Sequence, residues 1–271
     1  MKVVIAEDFS RCSDPVQTEE NVSAQMIREA DRINSEYIYI SLPLAWNINH
    51  NGLAHTQTLI DNICRDYPNE KLCFVCQHIL ADRLSFHGNL VFTPHATVLD
   101  SFIPIPHYSC NYNQRLARPW EEREYTFSFM GSFATHSVRS KIYDYLKDRK
   151  DCLVINTGGW HFEGNQEKQE INSKKYSEVL GNTKYSLCPR GTGPSTIRIW
   201  ESMAMGSKPI IFSDFLQMPL DREFHTSWIR MPENFDVSML DAVAKDEKYD
   251  NAQYFEMFAN DRLYKSIVRN L

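Results

Sequence analysis

Short apolar runs alternate with longer amphipathic segments along most of this 271-residue chain. The runs are rich in β-branched and aromatic residues and lie near proline, asparagine or charged residues, as is typical of strands. The longer segments repeat apolar residues three or four positions apart, as is typical of helices. In the first half, this pattern predicts strands at 3–6, 37–42, 72–75, 90–92 and 101–105 and helices at 20–34 and 53–67.

The alternation is interrupted between Arg115 and Arg123 by a charged stretch that contains Pro119, and it then starts again. We therefore predict two domains, residues 1–118 and 119–271, with the last helix able to pack back on the first domain. In the second domain the pattern predicts strands at 125–130, 152–156, 185–188 and 209–212, and helices at 137–147, 173–181, 196–205, 237–244 and 253–268. The predicted fold class is α/β, with two Rossmann-like, doubly wound domains facing each other across a cleft and with C-terminal helices.

The composition excludes some classes of function. A hydrophobic fraction of 42% and a charged fraction of 24% are typical of a globular protein with an apolar core. With a net charge of −6, the chain does not have the excess of basic residues that is typical of nucleic-acid-binding proteins, so we expect no nucleic-acid partner. No apolar run approaches the roughly 18 residues of a membrane span. The apolar stretch before Glu7 and Asp8 is too short for a signal peptide.

Seven cysteines, an odd number, are scattered along the chain. Without an export signal we expect reduced thiols and a cytoplasmic location, and peripheral contact with a membrane stays open. Cys73 and Cys76 have the spacing of a redox or zinc motif, but no second cysteine pair or suitably spaced histidine pair completes a metal site. Because they lie in and beside the apolar run 72–75, we interpret them as core residues of a strand.

The segment 184–214 carries most of the chemical information. It reads as a strand, a loop from Arg190 to Ser195 rich in glycine, proline and hydroxyl residues, a helix, and a second strand. Backbone N–H groups before a helix bind anions, and Arg190 and Arg198 could add charge-assisted hydrogen bonds to a phosphate. Glu201 follows Arg198 by one helical turn, where a carboxylate could accept the two hydroxyls of a ribose. The competing interpretation is an ordinary loop before a helix with a surface Arg198–Glu201 pair.

The joint pattern resembles the exostosin-type glycosyltransferases, glycosyltransferase family 47. Their signature is Cys-x-Pro-x-Gly after a strand, then Ser-x-x-Arg, a Glu, and Gly-x-x-Pro before an apolar strand; in this chain the Cys and the Pro are adjacent. The matching residues here are Cys188, Pro189, Gly191, Ser195, Arg198, Glu201, Gly206 and Pro209. Weaker similarity extends over Phe129–Ser132 with Arg139, and over Asp100–Pro106. The resemblance covers about residues 98–230 and is strong only over 184–214.

The resemblance implies a GT-B architecture and an inverting transfer of sugar from a nucleotide diphosphate, UDP in many members, to a glycan or glycolipid. It implies that Glu201 holds the ribose, that Arg190 and Arg198 bind the diphosphate, and that the loop after residue 130 contacts a phosphate. The implied donor site is Gly131, Ser132, Arg139, Arg190, Gly191, Thr192, Ser195, Arg198 and Glu201. The sequence has no Asp-x-Asp triplet, so we expect neither a metal nor another cofactor.

An inverting transfer needs a general base. Asp8, His78 and His95 each follow a predicted strand of the first domain, and Asp8 is our first choice; a structural or acceptor-binding role stays open for each. Further acceptor contacts are expected from Trp46, Asn47 and His50 in the first domain and from Trp160 in an aromatic loop, which could equally pack on itself.

Two other functions remain to be weighed. A non-catalytic module could retain the nucleotide-sugar pocket and lack the base. A phosphate-loop nucleotidase is disfavoured because no Gly-Lys-Ser/Thr follows the glycines. If the donor assignment is correct, Glu201→Ala should weaken nucleotide-sugar binding and leave the fold intact.

Overall fold

A computed structural model describes residues 1–13, 16–158, 166–220, 224–244 and 248–271. The chain forms two compact units, and neither is continuous in sequence. The first unit consists of Met1–Tyr108, Phe215–Pro219 and Met257–Leu271. The second unit consists of Ser109–Asp214 and Leu220–Glu256. The transition after Tyr108 precedes the charged, proline-containing stretch from which the domain boundary was predicted.

The first unit is built on a five-stranded parallel sheet in the sequential order β1-β2-β3-β4-β5. Its strands are β1 (Lys2–Ile5), β2 (Tyr37–Ser41), β3 (Lys71–Val75), β4 (Leu90–Thr93) and β5 (Ile103–Pro104). Its helices are α1 (Gln17–Glu29), α2 (Leu44–Asp66) and, at the end of the chain, α8 (Leu263–Val268). Because the strand order never reverses, this sheet lacks the topological switch point that marks ligand sites in open α/β sheets.

Both faces of this sheet are covered. On one face Val22 and Met26 of α1 share an apolar cluster with Ile267 of α8 and with Tyr39 and Cys73 of the sheet. On the other face α2 packs on the alternate strand residues, which include Ile38, Ile40 and Phe74. Cys73 and Cys76 are fully buried, so their interpretation as core residues is confirmed.

The helix α2 begins nine positions earlier than the predicted start at residue 53. It is interrupted at Gly52, whose φ of 82° and ψ of 167° are non-helical and suit a residue without a Cβ. The preceding turn contains Asn47, Asn49, His50 and Asn51, whose polarity conceals the helical period in the sequence.

The second unit also contains a five-stranded parallel sheet, in the order β10-β9-β8-β6-β7. Its strands are β6 (Tyr125–Gly131), β7 (Cys152–Asn156), β8 (Thr183–Pro189), β9 (Lys208–Phe212) and β10 (Ile229–Met231). Its helices are α3 (Ser137–Leu146), α4 (Gln166–Gly181), α5 (Arg198–Ala204), α6 (Val237–Val243) and α7 (Ala252–Met257). The chain moves from β6 to β7 on one side and then to β8 on the other, so a switch point lies between β6 and β8.

The α/β class with two parallel sheets, which the sequence predicts, is confirmed. That the two units face each other across a cleft stays a prediction. Two of the differences from expectation concern strands: β10 was not predicted, and the strand expected at 101–105 is reduced to Ile103–Pro104. Prolines at 104 and 106 lack the N–H that a longer ladder would need.

The single helix predicted at 253–268 is also wrong. It is divided into α7, a 3-10 turn at Asn260–Arg262, and α8. The interruption has a tertiary cause, because the buried Gln25 amide donates to Asn260 O at 2.6 Å and accepts from Tyr264 N at 3.1 Å. These two hydrogen bonds replace those that a continuous helix would make at this point.

All seven cysteines are free thiols. In the part of the chain that the structure describes, no helix combines the length and apolarity needed to span a bilayer.

Candidate functional site

The loops that follow β6 and β8 meet at the switch point of the second unit, and Arg139 of α3 holds them together. Its guanidinium donates to Ser132 O at 2.8 Å in the first loop and to Arg190 O at 2.9 Å in the second. A third hydrogen bond reaches Pro189 O at 3.4 Å. Burial lowers the pKa of Arg139 to about 10. The structure therefore brings together the loops that the sequence predicts for the donor site, and it gives Arg139 a positioning role between them.

Arg198 lies beneath the first loop with 7% of its surface exposed. Its guanidinium carbon is 4.4 Å from the centre of the Phe129 ring and 5.6 Å from that of Tyr176, so the cation is enclosed by aromatic faces. Its Nη2 donates to Met130 O, and its buried Nε has no hydrogen-bond partner among the described residues. A Cβ at position 131 would lie 2.8 Å from Arg198 Nη2, which explains the glycine there.

Arg190 is less firmly held in place than Arg139 and Arg198. Its side chain is 20% exposed, and its contacts to Gly191 O, Thr192 O and Glu233 Oε1 are all 3.4 Å long. Charge-assisted hydrogen bonds are normally about 2.7–2.9 Å. A guanidinium with such long contacts can be reoriented toward a ligand at little cost.

The rest of the Gly-rich loop is divided between surface and interior. Thr192 is exposed, whereas Gly191 and Ser195 are buried. The following helix α5 begins at Arg198, two residues later than predicted, and no side chain caps it. Since α5 has only seven residues and its first turn is buried, the predicted phosphate site would depend on the arginines and not on a helix N-terminus.

Glu201 is 1% exposed and lies inside the second unit. Its Oε1 accepts hydrogen bonds from Asn111 N at 2.9 Å, Asn111 Nδ2 at 3.2 Å and Cys110 N at 3.3 Å. Burial and the nearby Glu201 carboxylate raise the pKa of Tyr176. Glu201 therefore anchors the segment that enters the second unit, and its role toward a ribose stays a prediction.

The candidate bases lie beyond the carboxyl ends of strands in the first unit. Asp8 is exposed and caps a 3-10 turn, with Ser10 N donating to its Oδ1 at 2.8 Å. This backbone hydrogen bond lowers the pKa of Asp8. His78 donates from Nε2 to Asn49 Oδ1 at 3.0 Å and accepts Leu80 N at Nδ1 at 3.0 Å, so both ring nitrogens are engaged.

His95 follows β4 and packs edge-on against His107, with ring centres 5.0 Å apart. Among the described residues, His95 Nδ1 and His107 Nε2 are buried without hydrogen-bond partners. Burial lowers the pKa of His95 to about 4, and the nearby His78 adds to this effect. A neutral His95 is a weak proton acceptor at neutral pH.

The predicted acceptor residues have different environments. Trp46 is stacked on His50 with ring centres 4.7 Å apart, and both are at least partly exposed. Asn47, in contrast, is 1% exposed and donates to Glu7 Oε2 at 2.7 Å. Its buried amide holds Glu7, and its predicted contact with an acceptor stays a prediction. Trp160 lies outside the described residues.

Glu19 is a buried carboxylate that the sequence analysis missed. It is 1% exposed, and it accepts Gln77 N at 2.7 Å and Ala45 N at 3.1 Å, which joins the starts of α1 and α2 to the end of β3. Burial raises the pKa of Glu19 to about 8, against the opposing effect of the backbone N–H groups of Gln77, Ala45 and Leu44. A glutamate in the first turn of a helix is ordinary, so no sequence signal distinguished it.

Among the residues the structure describes, no group of three or more histidine, cysteine, aspartate or glutamate side chains could hold a metal ion together.

Residues 35–232 match the Exostosin GT47 domain family and include β2 to β10 with the two loops at the switch point. The chain belongs to the exostosin GT47 family. Its resemblance to this family, inferred from the motif at 188–209, is thereby confirmed over most of the chain.

Three curated relatives give the extent of this similarity. Ribitol-5-phosphate xylosyltransferase 1 of Danio rerio is 31% identical over 94 residues, which are 34% of this chain and 21% of that protein. The exostosin-1 homolog of Caenorhabditis elegans is 25% identical over 207 residues, 68% of this chain and 52% of the relative. A probable glucuronoxylan glucuronosyltransferase of Arabidopsis thaliana is 23% identical over 178 residues, 58% and 37% respectively. The exostosin GT47 chain thus spans between 21% and 52% of the length of these relatives.

The buried Glu19 predicts a specific pH dependence of stability. Since its pKa rises from 4.5 to about 8 on folding, the folded chain binds more protons than the unfolded chain between these values. The free energy of unfolding should therefore fall as the pH rises through this window, and Glu19→Gln should remove that part of the fall. Denaturant unfolding at pH 5, 6.5 and 8 measures the effect. The neighbouring exposed Glu20→Gln is the control, and an equal fall in the wild type and Glu19→Gln contradicts the assignment.

The environment of Glu201 predicts that Glu201→Ala does not leave the fold intact, contrary to the sequence-based expectation. The substitution leaves the donors of Cys110 and Asn111 without their acceptor, at about 1–3 kcal/mol for each buried donor left unpaired. Thermal unfolding should therefore give a clearly lower midpoint for Glu201→Ala than for Glu201→Gln, which keeps an acceptor oxygen. Equal midpoints would show that Glu201 does not anchor this segment.

Proposed function

We propose that the chain is an inverting, metal-independent glycosyltransferase that moves a sugar from a nucleotide diphosphate, UDP in the first instance, to a hydroxyl of a glycan or glycolipid. One observation supports this proposal above the others: Arg139 joins two loops at the switch point of a parallel sheet, and Arg190 lies there with long, exchangeable contacts. Such switch points are where open α/β sheets bind nucleotides.

In the proposed site the diphosphate lies against the loops after β6 and β8. Arg190 contacts the diphosphate directly, because this side chain is partly exposed and makes only long contacts within the protein. Arg198 contributes its charge from beneath the first loop, where its buried Nε has no partner among the described residues. Positive charge held in a partly desolvated site stabilises a leaving diphosphate as negative charge develops on it. This is the role that a divalent cation has in metal-dependent transferases, and we propose that no cofactor is needed here.

The identity of the sugar is a separate question. Two of the relatives are named for different sugars, one as a xylosyltransferase and the other as a glucuronosyltransferase. Family membership therefore supports sugar transfer in general and not one donor. The proposed partners are a nucleotide sugar and a hydroxyl-rich acceptor, which the stacked pair Trp46 and His50 would contact in the first unit.

We keep Asp8 as the proposed general base. The structure disfavours the histidine alternatives, because both ring nitrogens of His78 are engaged in hydrogen bonds and the Nδ1 of His95 is buried. Asp8 is exposed and ionised at neutral pH, although the hydrogen bond from Ser10 N weakens its basicity. This weak basicity also keeps a second function under consideration, a module that binds nucleotide sugars without transferring them.

Transfer and metal independence are tested together on the purified chain. With a panel of UDP-sugars and oligosaccharide acceptors, we expect sugar transfer, or slow donor hydrolysis, that continues in excess EDTA. Loss of activity in EDTA and its recovery with Mn²⁺ would overturn the metal-free mechanism. Binding of UDP without turnover of any donor would favour the binding module.

The base assignment predicts that Asp8→Asn abolishes transfer and leaves donor binding unchanged, because the substitution removes a proton acceptor from the first unit only. The matched variant His78→Gln should keep most of the activity. Measurement of kcat by product release and of UDP affinity by calorimetry separates the two effects. Full activity of Asp8→Asn combined with loss in His78→Gln would transfer the role to His78.

A further inference from the structure

Two cationic or hydrogen-donating side chains from different loops of the second unit converge on one carboxylate. Arg190 Nη1, after β8, is 3.4 Å from Glu233 Oε1, and His136 Nε2, at the start of α3, is 3.6 Å from Glu233 Oε2. The exposed fractions of the three side chains are 20% for Arg190, 27% for His136 and 20% for Glu233. Neither His136 nor Glu233 belongs to the motif from which the donor site was predicted.

Glu233 is held in place from the other side by the loop after β9. Asp214 N donates to Glu233 Oε1 at 3.2 Å, and Glu233 N donates to Asp214 Oδ1 at 3.0 Å. These reciprocal hydrogen bonds fix the carboxylate independently of Arg190 and His136. The carboxylate would therefore remain nearby if both of these side chains turned toward another anion.

His136 is oriented as a donor toward this point. Its Nδ1 accepts a hydrogen bond from Val138 N at 3.3 Å, so the hydrogen of a neutral ring is on Nε2. Beside it, the buried Thr135 Oγ1 has no hydrogen-bond partner among the described residues. A Cβ at position 191 would lie 3.3 Å from that hydroxyl, so Thr135 is adjacent to the loop that contains Arg190.

The distances from the Glu233 carboxylate to Arg190 and His136 are longer than those of strong ion pairs. Strong charge-assisted pairs between a guanidinium or imidazolium and a carboxylate have N–O distances of about 2.7–2.9 Å. A phosphate has three or more acceptor oxygens and a larger charge. It could contact Arg190 and His136 at shorter distances than one carboxylate that is fixed elsewhere, and it could also accept a hydrogen bond from Thr135.

We propose that Arg190, His136 and Thr135 form a subsite for the terminal phosphate of a diphosphate, and that Glu233 competes with this phosphate for Arg190 and His136. The inference rests on the proposed function insofar as the diphosphate belongs to a nucleotide. Glu233 then sets how tightly the diphosphate is held. After transfer, the free nucleoside diphosphate carries more negative charge at its terminal phosphate than the nucleotide sugar did. Repulsion from Glu233 therefore weakens the product more than the donor and promotes its release.

Glu233→Gln is the central test, because it removes the charge and keeps an oxygen that can accept from Asp214 N. We expect it to tighten the binding of UDP and of inorganic pyrophosphate by about three- to tenfold at low ionic strength, and that of a UDP-sugar by less. In an Arg190→Gln background the same substitution should tighten binding less than it does in the wild type, since the competition for Arg190 is lost and only the competition for His136 and the direct repulsion remain. Calorimetry on the full chain measures all four proteins.

The matched control is Asp241→Asn, which changes the net charge equally. Asp241 is 56% exposed and pairs with Arg149 Nη1 at 2.6 Å, also in the second unit. Equal gains for Glu233→Gln and Asp241→Asn would mean that only net charge matters, and would overturn the proposal. Weaker binding in Glu233→Gln would also overturn it, because Glu233 would then be orienting Arg190 for the ligand.

Two further outcomes separate this inference from the proposed function. If pyrophosphate binding responds as expected and no nucleotide binds, the phosphate subsite is supported and the nucleotide-sugar function fails. If neither ligand binds to any of the proteins, the subsite itself is refuted. Should Glu233→Gln not fold, as judged by thermal unfolding, His136→Gln provides the second variant: it should weaken pyrophosphate binding, and unchanged binding would count against the subsite.

Discussion

The arrangement of the second unit depends on the hydrogen bonds that Arg139 donates to carbonyl groups of two loops. Ser132 O and Arg190 O belong to loops that are more than fifty residues apart in sequence, and they contact the same guanidinium. A buried guanidinium without acceptors for its N–H groups would destabilise the folded state. The hydrogen bonds to Ser132 O and Arg190 O therefore hold the two loops at a fixed separation. Arg139 thereby acts as a structural cation. It leaves the more exposed Arg190 as the side chain that can exchange partners, so the structural role and the proposed contact with a ligand belong to different arginines.

Much of this arrangement could be predicted from the sequence, and for physical reasons. The strand, loop, helix and strand from 183 to 212 follow from apolar periodicity and from glycine and proline positions, which are local properties. The association of Gly131, Arg139 and Arg190 was also predicted, on the basis of family resemblance. It is accounted for by the strand order, since β6 and β8 are neighbours and their carboxyl ends meet at one edge of the sheet.

The features that could not be predicted from the sequence depend on tertiary contacts. Glu201 has the spacing of a ligand-binding residue, but its partners at Cys110 and Asn111 are ninety positions away and have no sequence signature. The carboxylates of Glu19 and Glu233 resemble ordinary surface glutamates in the sequence; burial and neighbouring donors alone give them a role. The interruption before α8 is likewise caused by the distant Gln25, whereas the residues at the interruption include no glycine or proline.

The contacts of Gln25 with Asn260 and Tyr264 also constrain the order in which the chain can fold. During synthesis, Val22 and Met26 of α1 emerge long before Leu263 and Ile267, which belong to the same apolar cluster. The second unit has most of its residues between these points and can form its local parallel ladders first. One apolar face of α1 thus stays uncovered until the residues of α8 have been made. A chain that stops before α8 would expose this face and favour aggregation, even though the loops at the switch point would be intact.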